Sequence, residues 1–156
     1  MTTVITPPTR YITNDPAIYT VFLAGAIDMG AAVDWQAEVI TRLSEYGDNL
    51  ILFNPRRPGN RWPEDYLDEQ IEWELELLDF ADTVFMWLPK DSKAPVSMFE
   101  AGLYWKSGKL CIGADPGFYR RRNLELTGKY YGVCVYPSLD ETLRALTSVI
   151  AGSVSL

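Results

Sequence analysis

Three short runs of apolar residues constrain the fold of this chain more than any other feature. They are rich in β-branched and aromatic residues, and they do not alternate between apolar and polar positions: YTVFLAG (19–25), NLILF (49–53) and TVFMWL (83–88). Strands that are apolar on both faces are typical of a parallel sheet covered by helices on both sides. Because segments with helical spacing separate the runs, the pattern predicts an α/β fold.

The remaining segments extend this pattern into one domain. Two shorter apolar runs, 110–113 and 132–136, bring the predicted parallel sheet to five strands. The predicted helices cover 34–46, 64–80, 95–106 and 139–150, with a loop over 114–131. The sequence therefore predicts a single doubly wound, flavodoxin- or Rossmann-like domain over residues 19–152. A proline-containing, irregular arm is predicted over residues 1–18.

The absence of histidine restricts the possible chemistry. No histidine occurs in the chain, which excludes Ser-His-Asp and Cys-His catalysis and every zinc site that needs imidazole. Two cysteines cannot form a four-cysteine metal site. Because Cys111 and Cys134 lie in apolar runs, we expect both to be reduced residues of the core. Acid–base chemistry must therefore come from carboxylates, Tyr, Lys or Cys.

The net charge of −7 disfavours binding to nucleic acid or to a membrane surface. No segment has the charged start and apolar stretch of a secretory signal. No run approaches the roughly 20 apolar residues of a membrane span. These features predict a cytoplasmic protein.

Ligands of open α/β sheets bind outside the carboxyl ends of the strands, where the strand order reverses. The loops to search are therefore 25–33, 54–63 and 89–97. Asp28 and Asn54 lie on these loops and can hydrogen-bond a base, or can serve only as loop and cap residues. No phosphate-binding loop and no dinucleotide fingerprint follows the strands, so we expect no cofactor and no metal.

Each of two successive helices has a predicted apolar stripe that contains one glutamate. Over 64–80, the stripe expected to face the sheet consists of Leu67, Ile71, Leu75 and Leu78. Over 95–106, it consists of Val96, Phe99, Leu103 and Tyr104. Glu74 lies within the first stripe and Glu100 within the second. Because burying an unpartnered carboxylate is expensive, each glutamate needs either a structural partner or a function.

Two carboxylates in a partly apolar cleft suit glycosidic bond chemistry, where one attacks the anomeric carbon and the other protonates the leaving group. Glu100 lies near the start of its helix, whose dipole favours an ionised nucleophile. Glu74 would then be the acid. A structural hydrogen bond or ion pair is the alternative interpretation of both residues.

Three segments resemble nucleoside 2-deoxyribosyltransferases and the related 2'-deoxynucleoside 5'-monophosphate N-glycosidases. They are VFLAG (21–25), which ends at Gly25, Glu74 with the following Ala81-Asp82, and SMFEAGLY (97–104). The resemblance covers roughly residues 20–125. It implies that Glu100 is a nucleophile that forms a covalent deoxyribosyl intermediate. It also implies that Glu74 donates the proton to the base, at a position where the family usually has Asp.

The resemblance also implies further substrate-binding residues, with departures from the family pattern. Phe22 stands where the family often has a Tyr that meets the nucleophile. Ala94 replaces an Asp or Ser that binds the 5' end of the sugar, and Asp91, Ser92 and Ser97 are the candidates for that contact. Asn123 matches an Asn that family members lend to a neighbouring subunit, which implies a homo-oligomer.

Because of two clusters of arginines, the sequence leaves open whether the substrate carries a 5'-hydroxyl or a 5'-phosphate. Arg56, Arg57 and Arg61 follow the second predicted strand, and residues 120–122 precede Asn123. Arginine suits phosphate, so Arg56 and its neighbours are candidates for binding a nucleotide monophosphate. The alternative is that these arginines pair with the acidic helices.

The leading functional hypothesis is a nucleoside 2'-deoxyribosyltransferase that acts with retention of configuration on a nucleoside and a free nucleobase. The second hypothesis is an N-glycosidase that hydrolyses a nucleoside or a nucleoside 5'-monophosphate. The third is a nucleotide-binding module without catalysis, in which both glutamates are structural.

Overall fold

The computed structural model describes residues 1–28 and 31–153. The strands are β1 (Thr3–Ile5), β2 (Tyr19–Gly25), β3 (Leu50–Phe53), β4 (Thr83–Leu88), β5 (Leu110–Ala114) and β6 (Val135–Tyr136). The α-helices are α1 (Trp35–Leu43), α2 (Tyr66–Phe80), α3 (Pro95–Tyr104), α4 (Arg121–Tyr131) and α5 (Leu139–Ser153). Short 3₁₀ turns cover Ser44–Tyr46 and Pro58–Asn60.

The strands form one parallel sheet in the order β1-β3-β2-β4-β5-β6. From β2 the chain continues to β3 on one side of the sheet. It then crosses back to β4, and β5 and β6 follow on the other side. The strand order therefore reverses between β2 and β4, and their carboxyl ends form the crevice in which such sheets bind ligands.

Alternation along the central strands divides the core into two layers. Phe22 and Ala24 of β2 belong to the layer beneath α2, α3 and α4. Val21 and Leu23 belong to the layer beneath α1 and α5. Helices therefore cover both faces of the sheet, which confirms the predicted doubly wound α/β class.

The sheet has six strands rather than the five predicted, because part of the N-terminal arm joins it. Thr3–Ile5 pairs in parallel with Ile51–Phe53 at the edge of the sheet. The arm was predicted to be irregular because a three-residue run flanked by prolines carries little strand signal. Its pairing depends on the exposed edge of β3, which exists only in the folded sheet.

The segment 114–131, predicted as a loop, contains α4. Only Leu124 and Gly128 of this helix are buried, and polar and charged residues make up most of its sequence, so its apolar content gives little sign of a buried helix. Gly128 packs so closely on the following chain that a Cβ there would lie 2.4 Å from the Val133 carbonyl oxygen. The helix is thus specified by contacts that a periodicity argument does not detect.

Both predicted apolar stripes are rotated from the buried faces of their helices and share with them only Leu78 and Tyr104, although Glu100 faces inward as predicted. α2 turns Gln70, Trp73, Leu77 and Leu78 toward the sheet, and α3 turns Ser97, Glu100, Ala101 and Tyr104 inward. About half of each side chain is exposed at Leu67, Ile71, Leu75, Val96, Phe99 and Leu103. On α2 the Trp73 indole decides the rotation, because it packs 5.8 Å from the Phe22 ring and donates to the Thr9 carbonyl at 2.7 Å. On α3 the small Ser97 and Ala101 let the helix lie close to the sheet.

The two cysteines differ in their surroundings. Cys111 is buried among the side chains beneath α5. Cys134 is exposed, so the prediction that it belongs to the core is wrong; it precedes the two-residue edge strand β6, which no strand covers on its outer side. None of the helices in the described ranges combines the length and the apolar content needed to cross a membrane.

Asp82, at the end of the sheet opposite the crevice, links β2 to the α2–β4 connection. Its Oδ2 atom accepts hydrogen bonds from the backbone N–H and the hydroxyl of Thr20, both at 2.8 Å. Replacing Asp82 by Ala leaves a buried Thr20 N–H without its acceptor, so we expect a loss of about 1–3 kcal/mol in the free energy of unfolding. Asp79→Ala, on the exposed side of α2, should change it by less than about 0.5 kcal/mol. Urea unfolding of both variants tests this role, and equal effects would contradict it.

Candidate active site

A cavity of about 300 Å³ opens at the carboxyl end of β2, between α2 and α3. Residues 24–28 form one side, and Pro55 and Trp62 of the β3–α2 connection form another. The two helices contribute Tyr66, Leu67, Gln70, Ile71 and Glu74 from α2 and residues 94–97 with Glu100 from α3. The cavity lies where the topology of the sheet predicts a ligand.

Glu74 and Glu100 meet at this cavity. Glu100 is only 6% exposed, and Glu74 is partly buried. Their carboxyl groups share a hydrogen bond. Two carboxyl groups can share one only while at least one of them carries a proton, because two carboxylates have no donor.

Burial raises the pKa of both groups. Desolvation, followed by the negative charge of Glu74 and the hydrogen bond to it, raises the pKa of Glu100 from 4.5 to about 8. Desolvation also raises the pKa of Glu74, while hydrogen bonds from Gln70 and Glu100 and the charge of Arg57 oppose this rise. With a pKa of about 8, Glu100 therefore holds its proton near neutral pH.

Aromatic and aliphatic side chains form an apolar wall of the cavity beside the carboxyl pair. The rings of Trp62 and Tyr66 contact each other edge to face, with centroids 5.0 Å apart. Leu67, Ile71 and Val96 extend this wall. Such a surface suits the face of a planar, weakly polar ring.

Gly25 allows the chain to turn into the cavity at the end of β2. Its φ is +132°, and a Cβ at this position would lie 2.2 Å from the Trp87 carbonyl oxygen and 2.7 Å from the Trp35 ring. Only glycine fits so close an approach. Asp28 and Ala94, which lie on either side of the opening, also have positive φ values, of 49° and 47°.

The structure brings five of the nine predicted site residues to this cavity: Glu74, Glu100, Gly25, Asp28 and Ser97. The other four lie outside its lining. Phe22 is buried in the core against Trp73; it shares a face of β2 with the cavity-lining Ala24 but lies two residues further from the carboxyl end of the strand. Asn54 accepts a hydrogen bond from the Arg56 backbone N–H at 3.1 Å. Asn123 is exposed in the first turn of α4.

The arginines near the crevice have partners within the chain. Arg56 donates to Gln36 and to the carbonyls of Ala32 and Val33, each at 3.2 Å, and it pairs with Asp34 at 3.4 Å. Arg57 pairs with Glu69 of α2 at 2.6 Å. In the second cluster, Arg121 and Arg122 pair with Glu125. These contacts agree with the alternative in which the arginines pair with acidic residues of the chain instead of binding phosphate.

Sequence reasoning did not include Trp62, Tyr66 and Gln70 among the candidate residues. Trp62 lies in the searched loop 54–63 and Tyr66 begins α2 just after it, so the loop rule could have indicated both. The sequence also places Gln70 on the apolar side of its helix with Glu74, but only the structure shows that it is buried and bonded to Glu74. Within the described ranges, no three His, Cys, Asp or Glu side chains lie together as metal ligands would.

The raised pKa of Glu100 makes folding stability depend on pH. Because the folded state holds this proton more tightly, its stabilising contribution is complete below pH 4.5 and is lost as the pH rises through about 8. Glu100→Gln removes the titration, so the Tm of the native protein should fall relative to that of this variant across that range. Glu76→Gln, a change at a partly exposed carboxylate of α2, should leave the pH dependence intact. Parallel Tm profiles for the native protein and Glu100→Gln would contradict the assignment.

A comparison with known families accounts for this arrangement of side chains. The family described as nucleoside 2-deoxyribosyltransferase like matches residues 18–118, which include β2 to β5, the cavity and both glutamates. None of the curated proteins matches the chain. Because the match covers well over half of the chain, the protein belongs to the nucleoside 2-deoxyribosyltransferase-like family.

Proposed function

We propose that the protein transfers 2-deoxyribose between nucleobases, with Glu100 as nucleophile and Glu74 as the acid and then the base. The observation that supports this proposal most directly is the hydrogen-bonded carboxyl pair at an aromatic-walled cavity. A structural role alone would not require two carboxyl groups to meet at a cavity, because desolvating each of them is unfavourable in free energy.

The protonation of the pair fits the needs of the reaction. Transfer needs one carboxylate to attack and one carboxylic acid to donate, which is one proton for two groups. In the free protein, burial and the charge of Glu74 favour the proton on Glu100. The shared hydrogen bond gives that proton a direct path to Glu74 when a nucleoside binds.

In the first step, a Glu100 oxygen attacks C1' of the deoxyribose while the bond from C1' to the base nitrogen breaks. Glu74 gives its proton to the leaving base, which departs as a neutral molecule. The products are a glycosyl ester on Glu100 and an ionised Glu74. The positive charge that develops on the sugar is stabilised by the attacking carboxylate.

In the second step, an incoming base attacks C1' from the side that the first base left. Glu74 accepts a proton from the attacking nitrogen, and the bond between C1' and Glu100 breaks. Two inversions at C1' give overall retention. The wall formed by Trp62, Tyr66 and Leu67 would hold both bases in turn and limit the access of water.

A second copy of the chain is part of this proposal. α2 and α3 expose neighbouring apolar side chains, and Leu67, Ile71 and Val96 also line the rim of the cavity. A partner on this surface would bury apolar area and close the cavity at the same time. Asn123 of the neighbouring copy is the residue that we expect to contact the 5' end of the sugar.

Loss of either glutamate should abolish transfer in a way that identifies its role. Glu100→Gln should lower kcat for exchange between 2'-deoxyinosine and adenine at least about 10³-fold, because no ester can form. Glu74→Gln should be least harmful with nucleosides whose bases leave without protonation. Glu76→Gln is the matched control on the same helix. Full activity of Glu100→Gln would disprove the mechanism.

The same assay separates transfer from hydrolysis. Formation of 2'-deoxyadenosine only when adenine is present would support transfer. Release of hypoxanthine at a rate independent of adenine would instead support an N-glycosidase, which would use the same glutamates with water as acceptor.

The apolar surface of α2 and α3 should control the oligomeric state. Phe99→Lys places a charge at the centre of this surface and should shift the sedimentation coefficient to that of a single chain. Because the rim of the cavity is shared, activity should fall with the oligomer. Val149→Lys, at a comparably exposed apolar residue of α5 on the other face of the sheet, is the control. A single chain in the native protein would contradict this part of the proposal.

A further inference from the structure

Gln70 is a buried side chain whose polar atoms all have partners. Its Oε1 atom accepts from Arg57 Nε at 2.9 Å. Its Nε2 atom donates to the Pro55 carbonyl at 2.9 Å and to Glu74 Oε1 at 2.7 Å. Only 5% of Gln70 is exposed, so water does not compete for these contacts.

Arg57 decides which way the Gln70 amide points. A guanidinium can only donate hydrogen bonds, so the atom of Gln70 that faces it must be the carbonyl oxygen. Arg57 is itself held by Glu69 at 2.6 Å and lies 6.0 Å from the centre of the Trp62 ring. The NH₂ group of Gln70 is therefore committed to Glu74 and Pro55.

We propose that Gln70 is a positioning residue that determines which oxygen of Glu74 exchanges a proton with the nucleobase. Because Glu74 Oε1 faces an N–H donor, a proton on that oxygen would oppose a proton of Gln70. The exchangeable proton is therefore confined to Oε2. This inference rests on the proposed function, since it specifies the geometry of the acid in that reaction.

The surroundings of Glu74 fix the expected direction of a pH effect. Glu100 faces it from α3, Gln70 from the preceding turn of α2, and the charge of Arg57 reaches it from the β3–α2 connection. Glu69 offsets part of that charge through its pair with Arg57. Removing the Gln70 donor takes away a hydrogen bond to the ionised form of Glu74, so the titration in which Glu74 ionises should move to higher pH, whereas that of Glu100 beside an ionised Glu74 should change little.

Gln70→Met tests the proposal, because methionine matches the length of glutamine but makes none of its hydrogen bonds. We expect the acid limb of the pH profile of kcat/KM, which reports the ionisation of Glu74 in the free protein, to move upward by about one pH unit, as the loss of one hydrogen bond to a charged group implies. kcat should fall at least about tenfold while KM changes less than about threefold, because the acid and not the binding wall is disturbed.

Gln36→Met is the matched control. Gln36 is also buried and also accepts a hydrogen bond from an arginine, Arg56, at 3.2 Å. It makes no contact with either catalytic glutamate among the described hydrogen bonds. This variant should therefore keep the native pH profile even if it is less stable.

Gln70→Glu is the second variant, in case the methionine variant does not fold. It keeps an acceptor for Arg57 and the volume of the side chain, but it loses the donor to Glu74 and adds a carboxyl group beside it. We expect the same upward shift of the pH profile. An unchanged profile in both folded variants would overturn the proposal.

Carbon-13 NMR of glutamate-labelled protein distinguishes failure of this inference from failure of the proposed function. The titration of the Glu74–Glu100 pair should move to higher pH in Gln70→Met and Gln70→Glu whether or not the protein transfers deoxyribose. A shifted titration in a protein without exchange or hydrolysis would refute the function and retain the positioning role. An unshifted titration in an active protein would refute the positioning role alone.

Discussion

The hydrogen bond between Glu74 and Glu100 is the interaction on which the candidate site depends. Two buried carboxyl groups repel each other when both are ionised, so this contact persists only while a proton remains in it. The fold keeps the groups together because α2 and α3 are anchored side by side on the same layer of the sheet, by Trp73 and Tyr104 among others. The favourable free energy of packing the two helices on the sheet thus offsets the free energy that desolvating the pair costs.

The same packing explains the asymmetry of the site. Part of the cavity lining consists of hydrogen-bonding and ionisable groups, among them Gln70 and Glu74, and Arg57 donates to Gln70 from outside the lining. Another part consists of aromatic and aliphatic side chains, among them Trp62 and Tyr66. A sugar bonded to a planar base has a matching division, with the reacting bond near the acids and the ring against the apolar wall.

Much of the fold could be predicted because the central strands carry their own signal. Val21–Ala24, Leu50–Phe53 and Val84–Leu88 are buried on both faces, and runs without alternation fit no other position in a sheet. β1 and α4 could not be predicted in this way. β1 has three residues and depends on the edge of β3, and α4 is mostly polar and buries only Leu124 and Gly128, so its apolar signal is weak.

The sequence by itself determined the parallel sheet and the absence of imidazole chemistry. It also indicated one glutamate within the apolar stripe of each of two successive helices. Only the tertiary structure decided how those helices are rotated. Periodicity measures where apolar side chains cluster, whereas the rotation of α2 follows from the fit of the Trp73 indole beneath the sheet. That rotation exposes Leu67 and Ile71, buries Gln70 and aims Glu74 at Glu100, since a rigid helix turns all its side chains together.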